Sequence, residues 1–462
     1  MKAKRRALAE RREMVGHTQE TLAEFVGVEP TTVGRWERGE TSPQPWSRPK
    51  LVEALGVSVE QLDTMLAEGQ PVEQEPPGAG GFLDSDAAED PFDDPERDPV
   101  LITPWHHRGT VEAAVLLSGG ARVKRRDVLF LTGMALTAPA HQWLIHDPGP
   151  LMSGLAGRRV STTLADRFTD MIPELRAMDD VAGGGSVLSL AQQQFGVVAE
   201  LLDQASYDEP TGRRFHVVLA ELGQLCGWAA YDDDQQGLAQ RYYVTALRAA
   251  HSGDDRPLGA HILSCMAEQA ARQGRPAEAV TLIETALAGV RGQQTPRLLA
   301  ELHIRQACAL AALRDVSACT TAVSRARAYV ESREEDPPWL YWVRQAEITS
   351  FAGICLLQVG QADQAAALIE EGIALFDESC VRDRQICLAR LAEALARPGT
   401  QRDLDAAASR GMEAIRLAEG LDSNRSADLL RDLSHQLSPH AKVECETSWS
   451  GRGSSRRHRP SP

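Results

Sequence analysis

The chain has 462 residues, 43% of them hydrophobic, and a formal net charge of −16 at neutral pH. That much apolar material fills more than one core, which excludes a disordered tail protein and predicts two or more domains. An acidic chain repels nucleic acid at long range, so any contact with it has to rest on a local basic patch.

The first fifty residues hold such a patch: Lys2, Lys4, Arg5, Arg6, Arg11, Arg12, Arg35, Arg38, Arg48 and Lys50 outnumber the carboxylates there. Within them, spacing predicts two short amphipathic helices. The first has Thr18 as its N-cap, buries Leu22, Ala23 and Val26, and stops at Gly27. The second starts at Pro30, a residue suited to the first helical position. Its Val33 and Trp36 lie three apart on one face and leave Thr31, Thr32 and Arg35 on another. One face packs and the other is free to enter a groove.

Residues 1–68 resemble the XRE, lambda-repressor-like family through Thr18-Gln19, Leu22-Ala23, Gly27-Val28, Trp36-Glu37-Arg38-Gly39, Pro43 and the run Leu51 to Ser58 followed by Leu62. The resemblance implies a five-helix domain that binds double-stranded DNA. It implies that Gln19 clamps a phosphate and braces the recognition residues, and that Thr31 and Arg35 face the major groove. Arg35 is suited to guanine, whose O6 and N7 match a guanidinium fork. Thr32, Arg38, Thr41 and Ser42 become phosphate contacts. Three residues depart from the pattern. Pro30 replaces a polar base-contacting residue, Thr21 replaces the acid of a capping box, and Gly34 weakens a helix interior, an oddity that close approach of the backbone to DNA would explain.

Residues 69–99 are rich in Pro, Gly and acid, Asp84 to Asp98 included, and read as an extended, solvated linker. Residues 100–212 form a helical connecting region. In it, Arg125 to Ala140 imitates a twin-arginine export signal but lies far inside the chain, and reads as a buried apolar helix. His106 and His107 are adjacent, hence about 100° apart on a helix, and read as packing or surface residues. Gly183-Gly184-Gly185 falls between helical stretches and reads as a flexible loop.

Residues 213–438 repeat. Small residues recur with spacing +4, +3 at Ala239-Tyr243-Ala246, Ala279-Ile283-Ala286, Cys319-Val323-Ala326, Ala365-Ile369-Gly372 and Ala407-Gly411-Ala414, in steps of 40, 40, 46 and 42 residues. Twelve positions before the first four anchors stand Gly227, Ala267, Ala307 and Gly353. A period near forty is one antiparallel helix pair, with small residues where helices approach. These units resemble tetratricopeptide repeats. The resemblance implies a solenoid whose first helices line a groove with Glu221, Gln224, Trp228, His261, Ser264, Glu268, Glu301, Glu347 and Ser350. Carboxylates predominate in that set, which favours a basic peptide or a cationic small molecule. Asp232-Asp233-Asp234 sits between the helices of the first pair and reads as a cap. Residues 439–462 form a basic tail.

Eight scattered cysteines without CxxC or cysteine–histidine spacing argue against zinc and disulfides and for a reducing cytoplasm. There is no membrane span, and neither a phosphate loop, a GxSxG elbow nor an HExxH motif marks an enzyme or calls for a cofactor. The expected protein is all-α: a helix-turn-helix head, an acidic linker and a repeat body that senses a ligand and pairs the chain into a homodimer. It resembles the long regulators of actinobacteria. The alternative is a repeat scaffold whose head no longer reads DNA, for which Pro30 and Gly34 are the motive.

Overall fold

The computed structural model describes residues 6–15, 17–38, 43, 47–55, 57, 62, 65–66, 98, 102–118, 130–146, 157–331, 336–400 and 402–438. Among these every extended element is helical, apart from an isolated bridge between Arg159 and Ser206. The chain divides into two compact units, Met1–Ala87 and Ala88–Pro462.

In the first unit the described helices are α1 (Arg6–Met14), α2 (Gln19–Val26), α3 (Pro30–Glu37) and α4 (Arg48–Leu55). Their core is Leu8, Leu22, Ala23, Val26, Val33, Trp36, Leu51 and Leu55, joined by Leu62 and Leu66. The fifth helix of the expected domain falls largely outside the described residues. Helix α2 begins where Thr18 predicts it. The Thr18 hydroxyl accepts from the Thr21 amide at 3.2 Å while Thr21 Oγ1 accepts from the Thr18 amide at 2.8 Å, so threonine closes the capping box without the acid. At its other end Gly27 takes φ +83°, the left-handed cap its sequence position requires.

The second unit opens with α5 (His107–Ser118) and α6 (Met134–Ile145) and the long pair α7 (Thr162–Ala182) and α8 (Gly184–Gln204). The described end of the twin-arginine imitation lies in α6, buried through Leu136, Ala140 and Trp143. Trp143 fills the space left by Gly259 and Gly289, where a Cβ would meet its ring at 2.3 and 2.2 Å. His106 Nδ1 accepts from the Gly109 amide at 3.0 Å and so serves the start of α5.

Five helix hairpins follow: α9 (Glu209–Asp232) with α10 (Gln236–Ser252), α11 (Arg256–Arg272) with α12 (Pro276–Gly289), α13 (Pro296–Ala312) with α14 (Val316–Val330), α15 (Gln345–Gln358) with α16 (Ala362–Leu375), and α17 (Val381–Ala396) with α18 (Leu404–Ala418). Helix α19 (Asn424–Leu437) closes the series. Each small anchor, Ala239, Ala279, Cys319, Ala365 and Ala407, is fully buried on the second helix of its pair. A Cβ on Gly227 would come within 2.5 Å of Tyr243, and one on Gly353 within 2.7 Å of Ile369, so these glycines set the helix separation. Five residues before the first four anchors stand Asp234, Gly274, Arg314 and Gly360, all left-handed in the turn between the paired helices, with φ of 60°, 73°, 62° and 88°. The repeat seen in side-chain size is therefore also a repeat of backbone conformation.

First helices pack on first helices along the stack, α9 on α11, α11 on α13, α13 on α15 and α15 on α17. The stack then meets its own beginning: α19 packs on α9 and α17 on α7. The joint is polar and backbone-rich. The Gly185 amide donates to Asp422 O at 3.1 Å, the Asp422 amide to Ala182 O at 2.8 Å, and the Gly184 amide to Asp232 Oδ2 at 3.1 Å. Gly183 and Gly184 have backbone oxygens where a Cβ would stand, at 2.6 and 2.5 Å, so the triple glycine is a packed joint rather than a flexible loop. Asp232, read from sequence as a cap, instead ends α9 fully buried, with Arg425 Nε at 2.9 Å and Arg382 at 3.8 Å. Asp98, assigned by composition to the solvated linker, is buried against Arg241 at 2.7 Å.

Candidate nucleic-acid interface and a cavity in the repeat body

In the first unit, α3 buries Val33 and Trp36 and leaves Thr31 and Arg35, one turn apart, exposed on the opposite face. Thr32 is half-buried and Arg38 exposed at the C-cap; Thr41 and Ser42 lie outside the described residues. The helix is held from behind by Glu37. Its carboxylate, nearly buried, accepts from Arg12 Nε at 2.7 Å and from Gln19 Nε2 at 2.6 Å, and Arg12 also donates to His17 O at 2.8 Å. Gln19 thus braces α3 as the resemblance implies, with its amide committed to Glu37. Gly34 is explained by the same contact. It is buried, and a Cβ there would lie 3.3 Å from Gln19 Oε1 and 3.1 Å from Arg38, so the glycine leaves room for the brace. Arg11 and Lys50, counted in the basic patch, donate to the terminal carbonyls of Leu55 and Val26. They hold helix ends as well as carrying charge.

Residues 8–62 match the family model described as helix-turn-helix. The N-terminal unit is a helix-turn-helix domain. No curated protein matches the chain. The helix-turn-helix carries a guanidinium and a hydroxyl on the exposed face of its second helix, the face by which such a helix enters a major groove. Among the described residues, no helix is long and apolar enough to cross a membrane.

In the second unit the first helices of the pairs, with α7, α19 and the segment before α15, line a partly open cavity of about 180 Å³. Gln224, Trp228, His261, Glu268, Glu347 and Ser350 line it as the repeat register implies. Glu221, Ser264 and Glu301 stand behind the lining. Glu221 is paired with Arg176 at 2.9 Å, and Glu301 accepts from Ser264 and from His261 Nδ1, the latter at 2.7 Å. Burial opposes a charge on His261, but the Glu301 carboxylate overrides it and raises the imidazole to about 10.

The acidic bias expected of the groove does not survive. Arginines on neighbouring helices neutralise the carboxylates: Arg305 holds Glu268 at 2.9 Å, and Arg382 holds Asp179 at 2.8 Å and lies 3.4 Å from Asp180. The Arg305 guanidinium is also packed against Trp228, Trp342 and Phe351, with ring centroids 5.9, 5.2 and 5.2 Å away. Charge sign alone therefore selects no ligand here. Sequence reading missed Arg176, Asp179 and Asp180, which come from α7 outside the repeats, and the aromatic wall Trp339, Tyr341 and Trp342. The last three had a signal. They fill the one step of 46 residues in a series otherwise near forty, around the short turn Pro338–Leu340.

Proposed function

We propose that the protein is a DNA-binding transcription regulator of the XRE type, whose tetratricopeptide-like body holds a small-molecule ligand in its central cavity and mediates homodimerisation. The observation that carries the reading is the exposed Thr31–Arg35 edge on a helix fixed by Val33, Trp36 and the Glu37 brace within the matched helix-turn-helix. The brace also supports this reading over a scaffold with a degenerate head, since Gly34 serves the fold of α3 and Pro30 sits at its first position without disturbing it.

A cavity of about 180 Å³ is little larger than the roughly 150 Å³ that encloses benzene, which favours a small molecule over a peptide as the enclosed ligand. Binding changes DNA affinity only to the extent that the ligand prefers one arrangement of the body. A dimer of heads reads half-sites one helical turn, about 34 Å, apart. Selection from random-sequence duplexes with the full-length protein tests the function. Enrichment of a palindromic site is expected, with loss of enrichment in Arg35→Ala; equal enrichment by both proteins, or by neither, overturns the reading.

A further inference from the structure

Five arginines of the cavity wall are matched by carboxylates. Arg176, Arg305, Arg382, Arg390 and Arg425 each hold a carboxylate within 3 Å. Glu347 differs. It is 1% exposed, lines the cavity, and accepts from Arg344 through Oε1 at 2.9 Å, while its Oε2 is buried without a hydrogen-bond partner among the described residues. Arg344 is itself shared with Asp377 at 3.0 Å. A buried carboxylate oxygen left unbonded is costly, and the cost is relieved by a donor supplied from the cavity.

Three observations narrow the donor. Aromatic side chains, Trp228, Trp339, Tyr341, Trp342 and Phe351, form much of the wall, and Phe351 lies one turn from Glu347 on the same face of α15. The volume admits a group near the size of benzene. Burial pushes the Glu347 carboxyl up to about 7 against the pull of Arg344, a shift that a cationic donor at the unbonded oxygen would reverse. Tyr341, which is exposed, brings the wall to solvent and provides a way in.

We propose that the cavity binds a small organic amine in its protonated form, with the ammonium donating to Glu347 Oε2 and the carbon frame packed on the surrounding aromatic rings. The proposal rests on the reading of the body as a ligand-holding unit and names the class of ligand. Glu347 binds and takes no part in any chemical step.

Titration calorimetry of the full-length protein with benzylamine, benzyl alcohol and phenylacetate tests it. Benzylamine is expected to bind at one site per chain, benzyl alcohol at least tenfold more weakly, and phenylacetate not at all. Glu347→Gln, nearly the same in shape, is expected to weaken benzylamine at least tenfold. A measurement on the unaltered chain guards against misfolding of that variant: benzylamine changes the tryptophan fluorescence of the folded protein, through Trp228, Trp339 and Trp342 in the cavity wall, and phenylacetate does not. Phenylacetate binding as tightly as benzylamine, unchanged affinity in Glu347→Gln, unaltered fluorescence, or no binding of benzylamine at millimolar concentration each overturns the amine assignment. Duplex selection reads the head separately, so an enriched site with no response to amines removes this inference and leaves the regulator standing.

Discussion

Glu37→Ala removes the carboxylate that ties α1, α2 and α3 together, and its cost follows from what is left behind. Arg12 is 7% exposed and would keep its bond to His17 O while losing the Glu37 carboxylate; Gln19 would lose its bond to Glu37. Removing one member of a buried ion pair costs about 3–5 kcal/mol, and the surviving bond to His17 places this case near 3. Against a total of about 5–15 kcal/mol for a domain, that loosens the whole head. Hydrogen exchange followed by mass spectrometry reads it locally in the full-length chain. At 1.4 kcal/mol per decade, α2 and α3 peptides should exchange roughly a hundredfold faster while peptides of the repeat body keep their rates. Glu37→Gln, which keeps an acceptor oxygen, should fall between. Exchange in α2 and α3 changed by less than threefold would refute the claim that this buried pair, rather than the Val33 and Trp36 contacts alone, fixes the reading helix.

Arg35→Ala should leave exchange in α3 unchanged and weaken binding to a selected duplex by about 1–3 kcal/mol, measured by fluorescence anisotropy over a salt series. Gly353→Ala should lower the melting temperature of the body: about 1 kcal/mol gained in helix propensity is outweighed by overpacking of about 1–3 kcal/mol where the new methyl meets Ile369 at 2.7 Å and Ala365 O at 2.9 Å. His216 is fully buried, and burial depresses its imidazole to about 4 despite the bond of Nδ1 to Gly212 O. The unfolded chain takes up that proton near 6.5, so the contribution of neutral His216 is complete above 6.5 and lost as pH falls to about 4, up to about 3 kcal/mol. Denaturant melts at pH 7 and pH 4.5 should show that loss shrinking in His216→Leu. Cys308 and Cys355 Sγ atoms are 3.4 Å apart, and diamide should join them in the folded protein as one peptide pair on non-reducing mass spectrometry.

The parts legible in the sequence share a cause: their evidence is local. Thr18, Gly27 and Pro30 mark helix ends by their own conformational preferences, and the spacing of Val33 and Trp36 gives the buried face of α3. The repeat showed in side-chain size because hairpin helices touch within some forty residues, as Gly353 and Ile369 do. What stayed hidden depends on residues far apart. The joint between Gly185 and Asp422, and the pairs Asp179–Arg382 and Asp232–Arg425, span about two hundred residues. A count of groove carboxylates therefore saw Glu268 and Glu221 but missed Arg305 and Arg176, which neutralise them. Composition averaged Asp98 into an acidic stretch although Arg241 buries it. Thr21 was judged by its departure from an acid, whereas its hydroxyl performs the same bonding.

The central claim is that the Thr31 and Arg35 edge of α3 meets DNA, and photocrosslinking tests it most directly. A benzophenone-bearing residue placed at Thr31 should join the full-length protein to its selected duplex, with the link competed away by unlabelled site. The same residue at Leu313, exposed on the repeat body, should give none. Retained duplex binding with crosslinks at Leu313 and none at Thr31 would contradict the account.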